Sequence, residues 1–267
     1  MRVIVTRPDG DARRWVRLLA QSGVDAFALP LIQIRPVSDA TDVQIAWQVI
    51  GEFQSIMFVS AAAVDHFYAL RGQGNAGLAS DAGPRFWATG PGTVAALVRQ
   101  GVDPARIDAP EPDSGQFDSE TLWQRVADRV RPGWRAMLVR GSGHDVTGAD
   151  AGCDVRGQGR GWLAAQLTEA GAQVRFVVAY WRAAPAPDVV RQVLAEQDVR
   201  DDALWLFTSS EAIGNLKTAL PGHDWSRTRA LATHPRIAAA AREAGFGVVC
   251  ASRPGLPDIA ASIKSLQ

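Results

Sequence analysis

Four turns along this chain place a hydroxyl or glycine where an apolar run gives way to a helical stretch. Ser60 follows SIMFV, Thr93 lies in WATGPGT, Ser209 follows LWLFT and Thr233 lies in LATHP. In open parallel α/β sheets this is the carboxyl edge, where ligands collect and helix N-termini turn free N–H groups toward anions. Such turns would give two rims of donors able to gather a ligand, an anion included. Serine and threonine are also good helix caps. Recurrence of the pattern in both halves of the chain is what points to binding.

Tyr180 differs in kind. It is one of 2 tyrosines in 267 residues, and it sits in AYWRAAP at the outer end of a long apolar run, where a connector strand would face a cleft. The plain alternative is a half-buried tyrosine that anchors an interface, since its hydroxyl needs a partner wherever it is buried.

Other chemistries fit poorly. GPGTVA at Gly90–Ala95 matches a dinucleotide fingerprint, with Asp108 18 positions beyond Gly90 (108 − 90). However, Pro91 stiffens the turn, and its counterpart ATHPRI lacks the glycines. The histidines (His66, His144, His223, His234) show no metal-ligand spacing, and Asp145, Asp150 and Asp154 lack the calcium-loop pattern. No metal site is therefore expected. Cys153 and Cys250 are too few for a disulfide scaffold.

The elements that must position these residues are written twice. FVSAAAV at Phe58 returns as FTSSEAI at Phe207, an offset of 149 (207 − 58). ATGPGTVAALVRQG at Ala88 returns as ATHPRIAAAAREAG at Ala232, an offset of 144 (232 − 88). RVIVTRP and LAQSGVDAFALPL are echoed by RAMLVRG and LTEAGAQVRFVVAY, so the order is A, B, A′, B′. The simplest product is two similar lobes with a ligand cleft between them. About 15 residues are inserted inside A′ (148 − 133, from the offsets of Gly23/Gly171 and Arg7/Arg140). This segment, near 144–157, is rich in Gly and Asp and reads as an exposed loop.

Apolar runs alternating with helical stretches predict parallel α/β sheets. Strands are expected near 2–6, 26–34, 55–59, 85–89, 106–109, 135–140, 174–181, 203–208, 228–233 and 247–251, enough for two five-stranded sheets. AFALPLIQIRPV and VRFVVAYWRAAP outlast ordinary strands and end near proline, as connectors between lobes would.

Lys+Arg 28 balances Asp+Glu 28, which gives no long-range attraction to nucleic acid or an anionic membrane. No run approaches the ~18 apolar residues of a membrane span. Met1 leads directly into a strand, so the cytoplasm is the expectation, and the even charge with no obvious exposed apolar helix makes a monomer the default.

In order along the chain, VTRP with ALPL, FVSAAAV, GPGTVAAL, LVRG, AYWR, FTSSEAI, ATHPRIAAAAREAG and RPGLPDIAASI resemble the uroporphyrinogen-III synthase family. The resemblance implies two flavodoxin-like lobes with parallel five-stranded sheets, one from 1–36 plus 182–267 and the other from 37–181. A two-stranded antiparallel connector would join them. It implies cyclisation of hydroxymethylbilane, a linear tetrapyrrole octacarboxylate, with inversion of the last ring and no cofactor. The bilane could be handed over by the preceding pathway enzyme. By the same resemblance, Tyr180 matches the family's recurring tyrosine and could donate a hydrogen bond to the departing hydroxyl, Ser60, Thr93 and Ser209 match hydroxyl positions, and Arg7 would help hold the carboxylates. At the last corner this chain has His234, Pro235, Arg236 and Ile237 instead of G-P-T-T, which leaves Thr233 or Arg236 to fill that role. The insertion also separates Arg140 from Arg160, which stand close in the R-G-x-x-G-R pattern. Two other classes stay open: a non-catalytic two-lobed tetrapyrrole or anion sensor, and a nucleotide-dependent enzyme using the Gly90 turn.

Overall fold

The computed structural model describes residues 1–72, 83–111, 117–145, 161–197 and 203–266. Their strands are β1 (Val3–Val5), β2 (Ala26–Ala28), β3 (Gln33–Pro36), β4 (Ser55–Phe58), β5 (Arg85–Ala88), β6 (Ile107–Asp108), β7 (Arg135–Ser142), β8 (Gln173–Ala183), β9 (Leu204–Phe207), β10 (Arg229–Ala232) and β11 (Val248–Ala251). Their α-helices are α1 (Asp9–Gln21), α2 (Thr41–Gln48), α3 (Ala61–Ala69), α4 (Pro91–Arg99), α5 (Ser119–Val126), α6 (Gly161–Glu169), α7 (Pro187–Glu196), α8 (Ser210–Ala219), α9 (Pro235–Glu243) and α10 (Leu256–Ser265).

The chain divides into two compact units, Met1–Gln33 with Ala183–Gln267, and Ile34–Arg182. In the first, the sheet order is β11-β10-β9-β1-β2, with every pairing parallel. Counted within the unit this is 2-1-3-4-5, the order of doubly wound flavodoxin-like sheets. Strand β1 lies between β2 and β9 and has no other partner in its sheet. The second sheet runs β3-β8-β7-β4-β5-β6. Its five strands from β4 to β8 are parallel and repeat the same order when β7 is counted first.

The second sheet thus has six strands where five were expected, because the run AFALPLIQIRPV is broken. Pro30 has no N–H to give a ladder, so β2 ends at Ala28 and the chain restarts as β3 at Gln33. The gap stays tied to the end of β1, since Leu29 N–H donates to Val5 O at 3.0 Å and Leu31 N–H to Thr6 O at 3.4 Å. Beyond the gap, β3 lies beside β8 as the edge strand.

The central strands VIV, SIMF and LWLF are buried throughout, as parallel strands covered on both faces must be. In the second unit, strand alternation splits the core. Ile56, Phe58, Met137 and Val139 join α3 on one face, while Met57, Ala136 and Leu138 join α5 and α6 on the other. Of the inserted segment, residues from 146 onward, with Asp150, Cys153 and Asp154, lie outside the described residues, as does Arg160. Asp145 accepts a hydrogen bond from Ser38 N–H at 3.1 Å.

Candidate functional site

In the second unit β4 ends at Phe58, and the turn places Ser60 as the N-cap of α3. Its Oγ accepts from Ala63 N–H at 3.1 Å, satisfying one of the free donors of the first turn. The same Oγ lies 3.1 Å from the phenol oxygen of Tyr180 near the end of β8, and either atom could be the donor. Both residues stand out in the sequence, but nothing there links them.

Counting protons shows what the pair can do. Ser60 Oγ gives one lone pair to Ala63 N–H. If the phenol donates to Ser60, the serine proton is uncommitted; if Ser60 donates, the phenol proton is uncommitted. Either way, one O–H proton remains available to a third group. Tyr180 is only 3% exposed as a residue, more deeply placed than a half-buried tyrosine.

His66 is the residue sequence reasoning missed. Its ring centroid is 5.7 Å from that of Tyr180, tilted by 30°. Burial pushes His66 below the usual histidine range, and the nearby Asp65 carboxylate only partly offsets this, which keeps the imidazole neutral near neutral pH. The available signal was its place six positions beyond Ser60, on the helix Ser60 caps (66 − 60). Thr93 is buried in the first turn of α4, where its N–H donates to Gly90 O at 3.0 Å, so it is not an open rim hydroxyl.

Asp108 decides against the nucleotide reading. Its carboxylate takes Arg85 Nε at 2.6 Å and Nη2 at 2.8 Å, Arg129 Nη1 at 2.8 Å and Trp87 Nε1 at 3.1 Å. An acidic residue so engaged cannot serve a ribose hydroxyl. Burial alone would raise its pKa, but the two arginines outweigh this and hold the carboxyl below the usual range.

The first unit carries the remaining candidates at corresponding strand ends. Arg7, just past β1, bonds Asp11 Oδ2 at 2.8 Å, and its guanidinium lies 4.1 Å from the ring centre of Trp15. Burial lowers its pKa against the opposing pull of Asp11, without bringing it near neutrality. Ser209 caps α8, accepting from Glu211 N–H at 3.2 Å. Thr233 is tied by its N–H to Phe207 O at 3.2 Å. His234 caps α9 with Nδ1, accepting from Arg236 N–H at 3.1 Å, so the unusual residue at the last corner does a capping hydroxyl's work. The Arg236 side chain is exposed.

Among the described residues no three His, Cys, Asp or Glu are grouped to hold a metal ion, and no helix is long and apolar enough to cross a membrane.

Two doubly wound units with hydroxyl-capped helices at their strand ends define an α/β protein built on parallel sheets. Residues 13–261 match the family model described as Uroporphyrinogen-III synthase HemD, and the chain belongs to that family. Uroporphyrinogen-III synthase of Escherichia coli (strain K12) is 27% identical over 257 residues, covering 92% of each chain. The fold is similar to that of a mutant uroporphyrinogen III synthase from the extremely thermophilic bacterium Thermus thermophilus, at TM-score 0.53 and 16% identity over 100% of this chain and 98% of that one. It is also similar to that of uroporphyrinogen-III synthetase from Helicobacter pylori 26695, at TM-score 0.50 and 14% identity over 100% of both.

Proposed function

We propose that this protein converts hydroxymethylbilane to uroporphyrinogen III, closing the tetrapyrrole with inversion of its last ring, in heme biosynthesis. The observation that carries this reading is the family match over residues 13–261. The terminal hydroxyl leaves as water once protonated, giving an azafulvenium cation. The terminal pyrrole attacks it through its substituted carbon, forming a spiro intermediate that fragments and recloses. The proton lost when the rings regain aromaticity restores the donor, so the cycle needs no external acid, oxidant or cofactor. Tyr180 is assigned as the proton source, with Ser60 as its hydrogen-bond partner.

Because the uncatalysed bilane closes to the symmetrical I isomer, the protein's larger task is conformational: it holds the chain so that the inverted closure is the reachable one. Carboxylate contacts are assigned to Arg7, Ser60, Ser209, Thr233 and Arg236, with strand-end N–H groups, while the burial of Thr93 takes it off that rim. At Arg7 a substrate carboxylate would compete with Asp11. The protein is read as a cytoplasmic monomer that receives the bilane from the preceding enzyme.

The test is to supply enzymatically generated hydroxymethylbilane and separate the product isomers by chromatography. A predominance of the III isomer that scales with protein supports the assignment. Binding of the bilane without any change from the spontaneous I isomer would make the protein a sensor instead.

A further inference from the structure

Strands β7 and β8 run in parallel register as far as Arg140 opposite Val178, and then the register slips so that Gly141 faces Tyr180 and Ser142 faces Trp181. Ala179 is the extra residue, a β-bulge. In an unbroken strand Val177 and Ala179 would share one face, and Val178 and Tyr180 the other. Instead Val177, Ala179 and Tyr180 all belong to one buried cluster with Val139, Phe58 and the α3 residue Phe67. The bulge therefore brings the Tyr180 ring to the face of the sheet covered by α3, the helix Ser60 caps.

On that face the ring needs room, and Gly141 supplies it. A Cβ at position 141 would lie 2.3 Å from both Cε2 and Cζ of Tyr180 and 2.9 Å from Cδ2. Cζ is the atom that bears the hydroxyl. Glycine here answers a close approach of side chain to backbone. Gly143, two residues on, has nothing within 4 Å of the same position.

We infer that Gly141 is a positioning residue for turnover: with the bulge at Ala179, it seats the Tyr180 ring so that the phenol reaches Ser60. This rests on the reading of Tyr180 as proton source. The chain has 2 tyrosines, so full-length protein labelled at tyrosine Cζ with carbon-13 gives two resolvable signals, from Tyr68 and Tyr180. Gly141→Ala is expected to move the Tyr180 resonance and leave that of Tyr68 in place. It should lower kcat for III-isomer formation about ten- to a hundredfold, with a smaller change in KM. Gly143→Ala should match the parent in both measurements. Tyr180→Phe should turn over alike with and without Gly141→Ala, because a ring without its hydroxyl has nothing left to aim.

Parental turnover or an unmoved resonance in folded Gly141→Ala overturns the inference, as do losses that multiply in the double variant. If Gly141→Ala does not fold, the Gly141→Ala/Tyr180→Leu protein must fold again, since the clashing ring is gone; failure of that rescue also overturns it. Should Tyr180→Phe turn over like the parent, the proton-source reading fails by itself. The seat is then judged on the resonance alone: movement sustains it and no movement sinks it.

Discussion

The hydroxyl oxygens of Ser60 and Tyr180, 120 residues apart in sequence, lie 3.1 Å from each other, and the serine simultaneously caps α3. One small side chain thus fixes a helix start and a phenol orientation. Ser60→Ala removes both interactions. The cap contributes about 1 kcal/mol and the hydroxyl pair about another, so a stability loss of about 2 kcal/mol is expected in urea titration. Ser60→Thr keeps an oxygen at the same branch and should recover most of it. An alanine variant as stable as the parent would mean that neither bond contributes.

His66 gives a pH signature. Its folded-state pKa is depressed, chiefly by burial. Its contribution to stability is therefore fully present above the ordinary histidine value of about 6.5 and is lost as pH falls through the lower folded value. Melting temperature should fall as pH drops below about 6.5, and part of that slope should vanish in His66→Gln. An identical slope in the variant would contradict the assignment.

Asp108 should behave as a structural anchor, with no effect on product isomer. Its side chain is 4% exposed while Arg85 and Arg129 are 34% and 45% exposed, so solvent softens the loss of a fully buried pair. Asp108→Asn is expected to cost about 2–3 kcal/mol in denaturant titration, with the III:I ratio unchanged. Because the folded pKa is depressed, the contribution is present above the ordinary value of 3.8 and disappears as pH falls through the lower folded value. A loss of isomer selectivity at full stability would place Asp108 in the site instead.

The parallel strands were legible because burial on both faces writes itself as unbroken apolar runs, as in VIV, SIMF and LWLF. Ser60 and Tyr180 could be named from their strand-end positions. Their bond could not, since it depends on a one-residue slip at Ala179 that leaves no local signal. Pro30 announced a break, yet where β3 would restart and which strand it would join depended on pairing with distant β8. Thr93 looked like a rim hydroxyl because its turn motif matched, but burial depends on the packing of α4. Asp108 carried a nucleotide reading only until the partners of its carboxylate were visible. Periodicity reports a face, whereas partners across the sheet are set by tertiary contacts.

The most direct test of the proposed chemistry is the initial rate of III-isomer formation by Tyr180→Phe at saturating hydroxymethylbilane, with the spontaneous I-isomer background subtracted and the fold checked by circular dichroism. A positioned proton donor contributes about 10²–10⁴-fold, and a substrate that ionises readily by itself places the expected loss at about ten- to a hundredfold. KM should change less than kcat, since the phenol acts on the departing hydroxyl and not on the carboxylates. A folded Tyr180→Phe protein with parental turnover would contradict the account, leaving Tyr180 as a packing residue and the reaction as conformational control alone.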